Sequence, residues 1–163
     1  MISFSQGGTL FNYRVAGVAY RDDGLGGRRV LLHRSAKDDF WCLPGGRCEL
    51  LEASREAVRR EMREEIGVEV EVGRLLWVVE AFFADPEGKN PCHELCFYYR
   101  IELPADFLRT AGETFGGRDG DLELLFRWFS VRDVPELNLV PPFLRERLPA
   151  PPGSVEHIVS RDL

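Results

Sequence analysis

No stretch of this sequence approaches the roughly 18 consecutive apolar residues that span a bilayer. A helical membrane span is therefore not expected. The opening residues, Met1-Ile2-Ser3-Phe4-Ser5-Gln6, lack the basic segment and apolar core of a secretory signal, so a soluble, cytoplasmic protein is expected. An excess of basic residues is also missing. Lys and Arg number 21 against 27 Asp and Glu, for a net charge of −6, which argues against an extended nucleic-acid track. Cysteine is sparse, with four residues at 42, 48, 92 and 96. Cys92-His93 and Cys96 offer only a loose zinc spacing, with no paired C-x2-C element, so reduced thiols are expected. A chain of 163 residues builds a core without a disulfide framework. Repeats and low-complexity blocks are absent. A composition of 44% hydrophobic and 29% charged residues excludes disorder, collagen and coiled coil, and leaves one globular domain over 1–163.

Hydrophobic patterning gives many strands and few helices. Residues 9–20 and 30–34 read as strands joined across the Gly-rich turn 21–29, a hairpin. Pro44-Gly45-Gly46 breaks regular structure. Residues 54–66 read as a helix. Residues 68–84 read as one long strand or two, with Gly73 as a bend. Residues 85–92 form a turn, and 93–103 alternate as a strand. Residues 111–121 read as a Gly-rich acidic loop. Residues 122–131 are apolar on both faces and predict a central strand. Pro141-Pro142 opens a short helix to about Leu148, and the tail 149–163 adds one short strand or stays loose. The pattern predicts a mixed sheet covered by helices.

Chemistry concentrates on the helix. Glu61, Glu64 and Glu65 stand at i, i+3 and i+4, which places three carboxylates on one side within a turn. Like charges so placed repel, and a hard cation such as Mg²⁺ or Mn²⁺ converts that repulsion to attraction. Ala57, Val58, Met62 and Ile66 form the opposite, sheet-facing side. Ser54 is the expected N-cap and Gly67 the C-terminal stop. Arg60 is placed to hold Glu52 or Glu64. Gly45-Gly46 allow main chain to approach a ligand or metal closely.

Residues 46–68 resemble the Nudix box, G-x5-E-x7-R-E-U-x-E-E-x-G-U with U aliphatic. Gly46, Glu52, Arg60, Glu61, Met62, Glu64, Glu65, Gly67 and Val68 occupy all nine specified positions. The lead-in Leu43-Pro44-Gly45-Gly46 and the strand around Arg127-Trp128-Phe129 extend the resemblance to about 12–148.

The resemblance implies an α/β/α sandwich with a mixed, partly curved sheet. It implies hydrolysis of a nucleoside diphosphate linked to another moiety, with two or more Mg²⁺ or Mn²⁺ ions. Carried over by position, Glu61, Glu64 and Glu65 are metal ligands, joined by the Gly45 carbonyl. Glu61 or Glu64 is the general base, and the box does not choose between them. Glu52 and Arg60 orient the carboxylates. A further acidic ligand comes from a later loop: Glu113, Asp119, Asp121 or Glu123, with Glu123 preferred. His33, Arg34 and Gly46 are candidate phosphate contacts. Phe40 is a candidate for base stacking, as are Phe11, Tyr13, Trp41, Phe82 and Tyr99. A homodimer is an arrangement common in the family.

Subfamily markers narrow the substrate by absence. ADP-ribose-type members carry a proline about 15 residues past the box, where this chain has Phe82-Phe83-Ala84-Asp85 and proline only at 86. The tyrosine of dinucleoside-polyphosphate members and the extended signature of NADH-type members are also missing. A nucleoside triphosphate or related small nucleotide is expected. Two rivals are a non-hydrolytic nucleotide sensor and an isopentenyl-diphosphate-isomerase-like enzyme using Cys42 or Cys96. The intact box argues against both.

Overall fold

The computed structural model describes all residues except 86, 87, 89 and 163. Its strands are β1 (Ser3–Gln6), β2 (Thr9–Asp22), β3 (Arg28–Ser35), β4 (Gly45–Arg47), β5 (Glu71–Ala84), β6 (Pro91–Glu102), β7 (Thr114–Asp119), β8 (Leu122–Ser130) and β9 (Glu156–Asp162). Its helices are α1 (Ser54–Ile66), α2 (Ala105–Thr110) and α3 (Leu144–Arg147), with a 3-10 turn at Val134–Glu136. The strand order is β7-β8-β3-β2-β6-β5-β9, with β1 and β4 paired to β2. The sheet is mixed: β2 runs parallel to β6 and β5 parallel to β9, while the other pairs are antiparallel.

A split in this sheet positions the site. β2 and β3 pair only over Tyr20–Asp22 and Arg28–Val30, then separate. The segment after Trp41 enters the gap. Cys42 bridges to His33 of β3, and Gly45–Arg47 pair with Ala16–Arg14 of β2. Gly45-Gly46 thus stand in the gap, directly before the loop that leads to α1.

Apolar side chains cover both faces of the sheet, as a layered α/β/α arrangement requires. On one face Ala57, Val58 and Met62 of α1 pack with Val15, Leu31, Ile101 and Phe126. Burying Met62 alone contributes about 1.5–3 kcal/mol. On the other face α3 and the 3-10 turn deliver Leu144, Leu148 and Val134 onto Trp77, Tyr98 and Leu32. β5 carries the expected irregularity, with register shifts between Val72 and Trp77, beside Gly73.

Several local expectations change. The expected loop 111–121 contains β7, which forms a hairpin with β8. β8 therefore lies second from the sheet edge, and Glu123, Leu125 and Arg127 on it are exposed. The N-cap of α1 is Ala53, with no side-chain cap. Ser54 Oγ instead lies 2.7 Å from Tyr99 Oη, because β6 passes close beneath the helix start. Gly67 closes α1 in the left-handed conformation, φ 70°, and its N–H donates to the Arg63 carbonyl. α3 begins at Leu144, past both prolines, and β9 supplies the tail strand. β1, β4 and α2 are additional. Positions 86, 87 and 89 of the expected turn 85–92 lie outside the described residues, and Pro91-Cys92 belong to β6. The four cysteines are unpaired. Cys92 and Cys96 share one side of β6, while His93 stacks on Phe82 from the other, so the loose zinc spacing converges on nothing.

Candidate active site

α1 turns its carboxylates toward the gap in the sheet. Glu61 and Glu65 are 8% and 4% exposed, while Glu64 stands open to solvent. All three line an open cleft of about 700 Å³ together with Arg14, Gly45, Gly46, Arg47, Arg60, Arg118 and Asp119. The cleft is thus acidic on the helix side and carries arginines from β2, β4 and β7.

Arg60 organises the acidic side. Its Nε and Nη2 donate to the two oxygens of Glu52 at 2.7 and 2.9 Å, a paired, charge-assisted contact. Its Nη1 donates to Glu61 at 2.7 Å and to Glu64 at 3.1 Å. Nη2 also reaches the Arg47 carbonyl at 3.0 Å, which ties α1 to β4. Glu52 caps the connecting loop by accepting from the Glu49 N–H at 2.9 Å. The Arg60 contact holds the Glu52 carboxyl below its ordinary pKa. Gly46 leaves room for this arrangement, since a Cβ built there would displace the Glu61 carboxylate.

Burial acts oppositely on the inner carboxylates. It pushes the Glu61 pKa up, with Arg60 partly offsetting it. Glu65 is pushed well above its usual value by burial, then by the charges of Glu61 and Asp119. The Gly45 N–H and the Arg14 charge offset part of this. Its Oε2 is buried without a partner among the described residues. A buried carboxylate oxygen left unpaired beside two further carboxylates is expensive. A cation at that place removes the cost.

Asp119, on β7, faces the box. It shares the cleft with Glu61, Glu64 and Glu65, and its charge acts on both Glu61 and Glu65. Gly117 permits this, because a Cβ there would meet the Glu65 carbonyl oxygen and the Phe126 ring. Glu123, the candidate preferred on sequence, pairs in register with Arg118 and lines an adjoining cavity of about 570 Å³ beside Glu64 and Glu65. Glu113 is bound by Arg21 and Arg29, and Asp121 is exposed at the hairpin turn. The Gly116-Gly117 pair just before Asp119 is the sequence signal that distinguishes it.

The candidate phosphate and base contacts separate. Gly46 lines the cleft. His33 is buried, stacked on Phe126, with Nε2 3.2 Å from the Leu43 carbonyl and 3.3 Å from Cys42 Sγ. Burial lowers its pKa to about 4, so it is a neutral internal brace for the 42–45 segment. Arg34 lies over the Trp41 ring, and Phe40 is half-buried in the turn before it. Neither lines the cleft, and no aromatic side chain does so among the described residues. Trp41 and Tyr99 are core, and Phe11 and Phe82 pack on His93. The sequence reading passed over Arg14 and Arg47, whose significance depends on the pairing of β2 with β4.

A family model described as the NUDIX domain matches residues 11–150. The chain belongs to the Nudix family. Curated relatives agree over shorter spans. A MutT-like protein of Streptomyces ambofaciens is 45% identical over 69 residues, 42% of each chain. Bacillus subtilis YjhB, named provisionally as an ADP-ribose pyrophosphatase, is 33% identical over 100 residues, 61% of this chain and 43% of that protein. The match thus spans less than half the length of either relative. Among solved structures, a MutT protein from Bacillus halodurans superposes with TM-score 0.62 at 19% identity, covering 92% of this chain and 89% of that one. A Nudix hydrolase from Nitrosomonas europaea gives 0.59 at 18%, covering 93% and 79%. These likenesses establish the fold of this Nudix domain. Among its described residues, no helix is long and apolar enough to cross a membrane.

Proposed function

We propose that this chain is a pyrophosphohydrolase dependent on Mg²⁺ or Mn²⁺. It cleaves a nucleoside diphosphate linked to another moiety, with a nucleoside triphosphate or related small nucleotide as substrate. One observation carries the reading. Glu65 presents a buried, unpartnered carboxylate oxygen next to Glu61 and Asp119, in a cleft that also carries arginines. That donor set fits a hard divalent cation.

Among the described residues, no three His, Cys, Asp or Glu side chains converge as a ready-made metal centre. Arg60 draws Glu61 and Glu64 toward itself instead. In this reading Glu61, Glu64, Glu65 and the Gly45 carbonyl hold two or more ions, and Asp119 rather than Glu123 adds the outer carboxylate. Bound divalent ions neutralise phosphate oxygens and lower the pKa of coordinated water. Glu52 fixes Arg60, and Arg60 sets the directions of Glu61 and Glu64. Glu64, the solvent-facing carboxylate, or Glu61 accepts the water proton. The cysteine-based isomerase reading has less support, since burial pushes the Cys42 thiol up to about 12 and Cys96 higher still, away from reactive thiolate.

The test is product release from a panel of nucleoside triphosphates, ADP-ribose, nucleotide sugars, NADH and diadenosine polyphosphates, with Mg²⁺ and with Mn²⁺. Cleavage of one class is expected, abolished by EDTA and by Glu64→Gln without loss of folding. Cleavage that survives chelation would reject the metal dependence, whereas an inert wild-type protein would reject the hydrolase reading and favour a nucleotide sensor.

A further inference from the structure

Four arginines line the cleft, and two of them, Arg60 and Arg47, donate to protein groups. Arg60 spends its donors on Glu52, Glu61, Glu64 and the Arg47 carbonyl. Arg47 Nε donates to Asn12 Oδ1 at 3.1 Å. Arg118 is exposed on the β7–β8 hairpin, with no partner among the described residues, and swings freely in solvent. Arg14 differs from all of them. It projects from β2 into the cleft and is only 36% exposed. Its sole charged partner among the described residues is Glu94 on β6, at 3.8 Å from Nε, with a side chain 16% exposed. That distance gives charge attraction without a hydrogen bond. No described group accepts a hydrogen bond from the Arg14 guanidinium.

A guanidinium on the wall of an open cleft with no protein acceptor leaves its donors to solvent and so keeps them available to a ligand. The guanidinium fork matches two oxygens of one phosphate. Glu94, diagonal to Arg14 on the neighbouring strand, attracts the cation from the Nε side and leaves the two Nη groups unfilled by any described residue. Arg14 also lies close enough to Glu65 to act on its charge, so an anion held by Arg14 sits beside the carboxylate group.

We propose that Arg14 is the phosphate-binding residue of this cleft and that Glu94 is its positioning residue. The inference deepens the pyrophosphohydrolase reading and rests on it: the ligand is the phosphate chain of the substrate. An interaction made equally with substrate and transition state appears in KM more than in kcat.

The experiment compares wild type, Arg14→Lys, Arg14→Gln and Arg14→Gln/Glu94→Gln. Steady-state kinetics use the substrate found in the panel, and calorimetry measures inorganic pyrophosphate binding. Arg14→Gln should raise KM about 10- to 100-fold with kcat within about threefold, and weaken pyrophosphate comparably. Arg14→Lys should fall between. Arg14→Gln removes the larger of the two counter-charges, Arg14 and Arg47, that act on half-buried Glu94, so its Tm should drop. The double variant should regain Tm while KM stays raised, which separates a substrate contact from a purely structural ion pair. An unchanged KM and pyrophosphate affinity in folded Arg14→Gln, or a KM restored in the double variant, would overturn the inference. If wild type cleaves nothing in the panel, the hydrolase reading fails. Pyrophosphate calorimetry then decides Arg14 by itself.

Discussion

Arg60 and Glu52 are joined by two parallel hydrogen bonds, 2.7 and 2.9 Å, across eight residues of sequence. The same guanidinium holds Glu61 and Glu64. One planar group thus fixes three carboxylates, which an ammonium cannot do. Arg60→Lys should cost about 1–3 kcal/mol of stability. It should also lower kcat/KM about 10- to 100-fold, the scale for residues that orient metal ligands. Urea unfolding and steady-state kinetics check the two effects, and wild-type kinetics in the lysine variant would refute the organising role.

Glu65 is the carboxylate whose burial is least compensated. In metal-free protein its charge works against folding, first through burial and then through the nearby charges of Glu61 and Asp119. Glu65→Gln should therefore stabilise the protein in EDTA at neutral pH, by about 0.5–2 kcal/mol. Activity in Mg²⁺ should fall by orders of magnitude. Thermal melts in EDTA beside turnover measurements would show the opposed signs. A variant that is both less stable and fully active would contradict the assignment.

Gly46 is in contact distance of the Glu61 carboxylate through the space its absent Cβ leaves. The obstructing atoms are the end of a side chain, so Gly46→Ala should fold. The displaced carboxylate should lower activity by about 100-fold, the usual scale for a misplacement near 1 Å. Circular dichroism would confirm the fold while kinetics report the loss. Retained activity would mean that Glu61 has freedom to move aside.

His33 supplies the pH prediction. Burial lowers its pKa from 6.5 to about 4 in the folded chain. Between those values the unfolded chain binds a proton that the folded chain refuses, so stability rises with pH. The stability is complete above pH 6.5 and lost as pH falls toward 4, by about 3 kcal/mol at the limit. His33→Gln keeps a donor for the Leu43 carbonyl but removes the titration. Denaturant unfolding from pH 4 to 7 should show a shallower acid-side slope in the variant. Equal slopes would place His33 in water.

The helix 54–66 was legible from sequence to the residue, and so was the placement of Glu61, Glu64 and Glu65 on one side of it. Helical periodicity and the Gly67 stop are local signals that need no neighbour. The strands 9–20 and 30–34, and the irregularity near Gly73, follow equally from short-range patterning. Ser54 misled because a hydroxyl before a helix has two local options, and the nearby Tyr99 decided between them.

Sequence alone therefore determined the family, the box helix and the identity of its carboxylates, since each lies in residues close together along the chain. Tertiary structure decided what that helix faces. The divergence of β2 from β3 admitted β4 and placed Gly46 against Glu61. The β7–β8 hairpin brought Asp119 into the cleft with Glu61 and Glu65 and left Glu123 in the adjoining cavity. Parallel pairing of β2 with β6 brought Glu94 diagonally beside Arg14, 80 positions away in sequence. Strand order and register set these relationships, and they depend on long-range packing that no local pattern records.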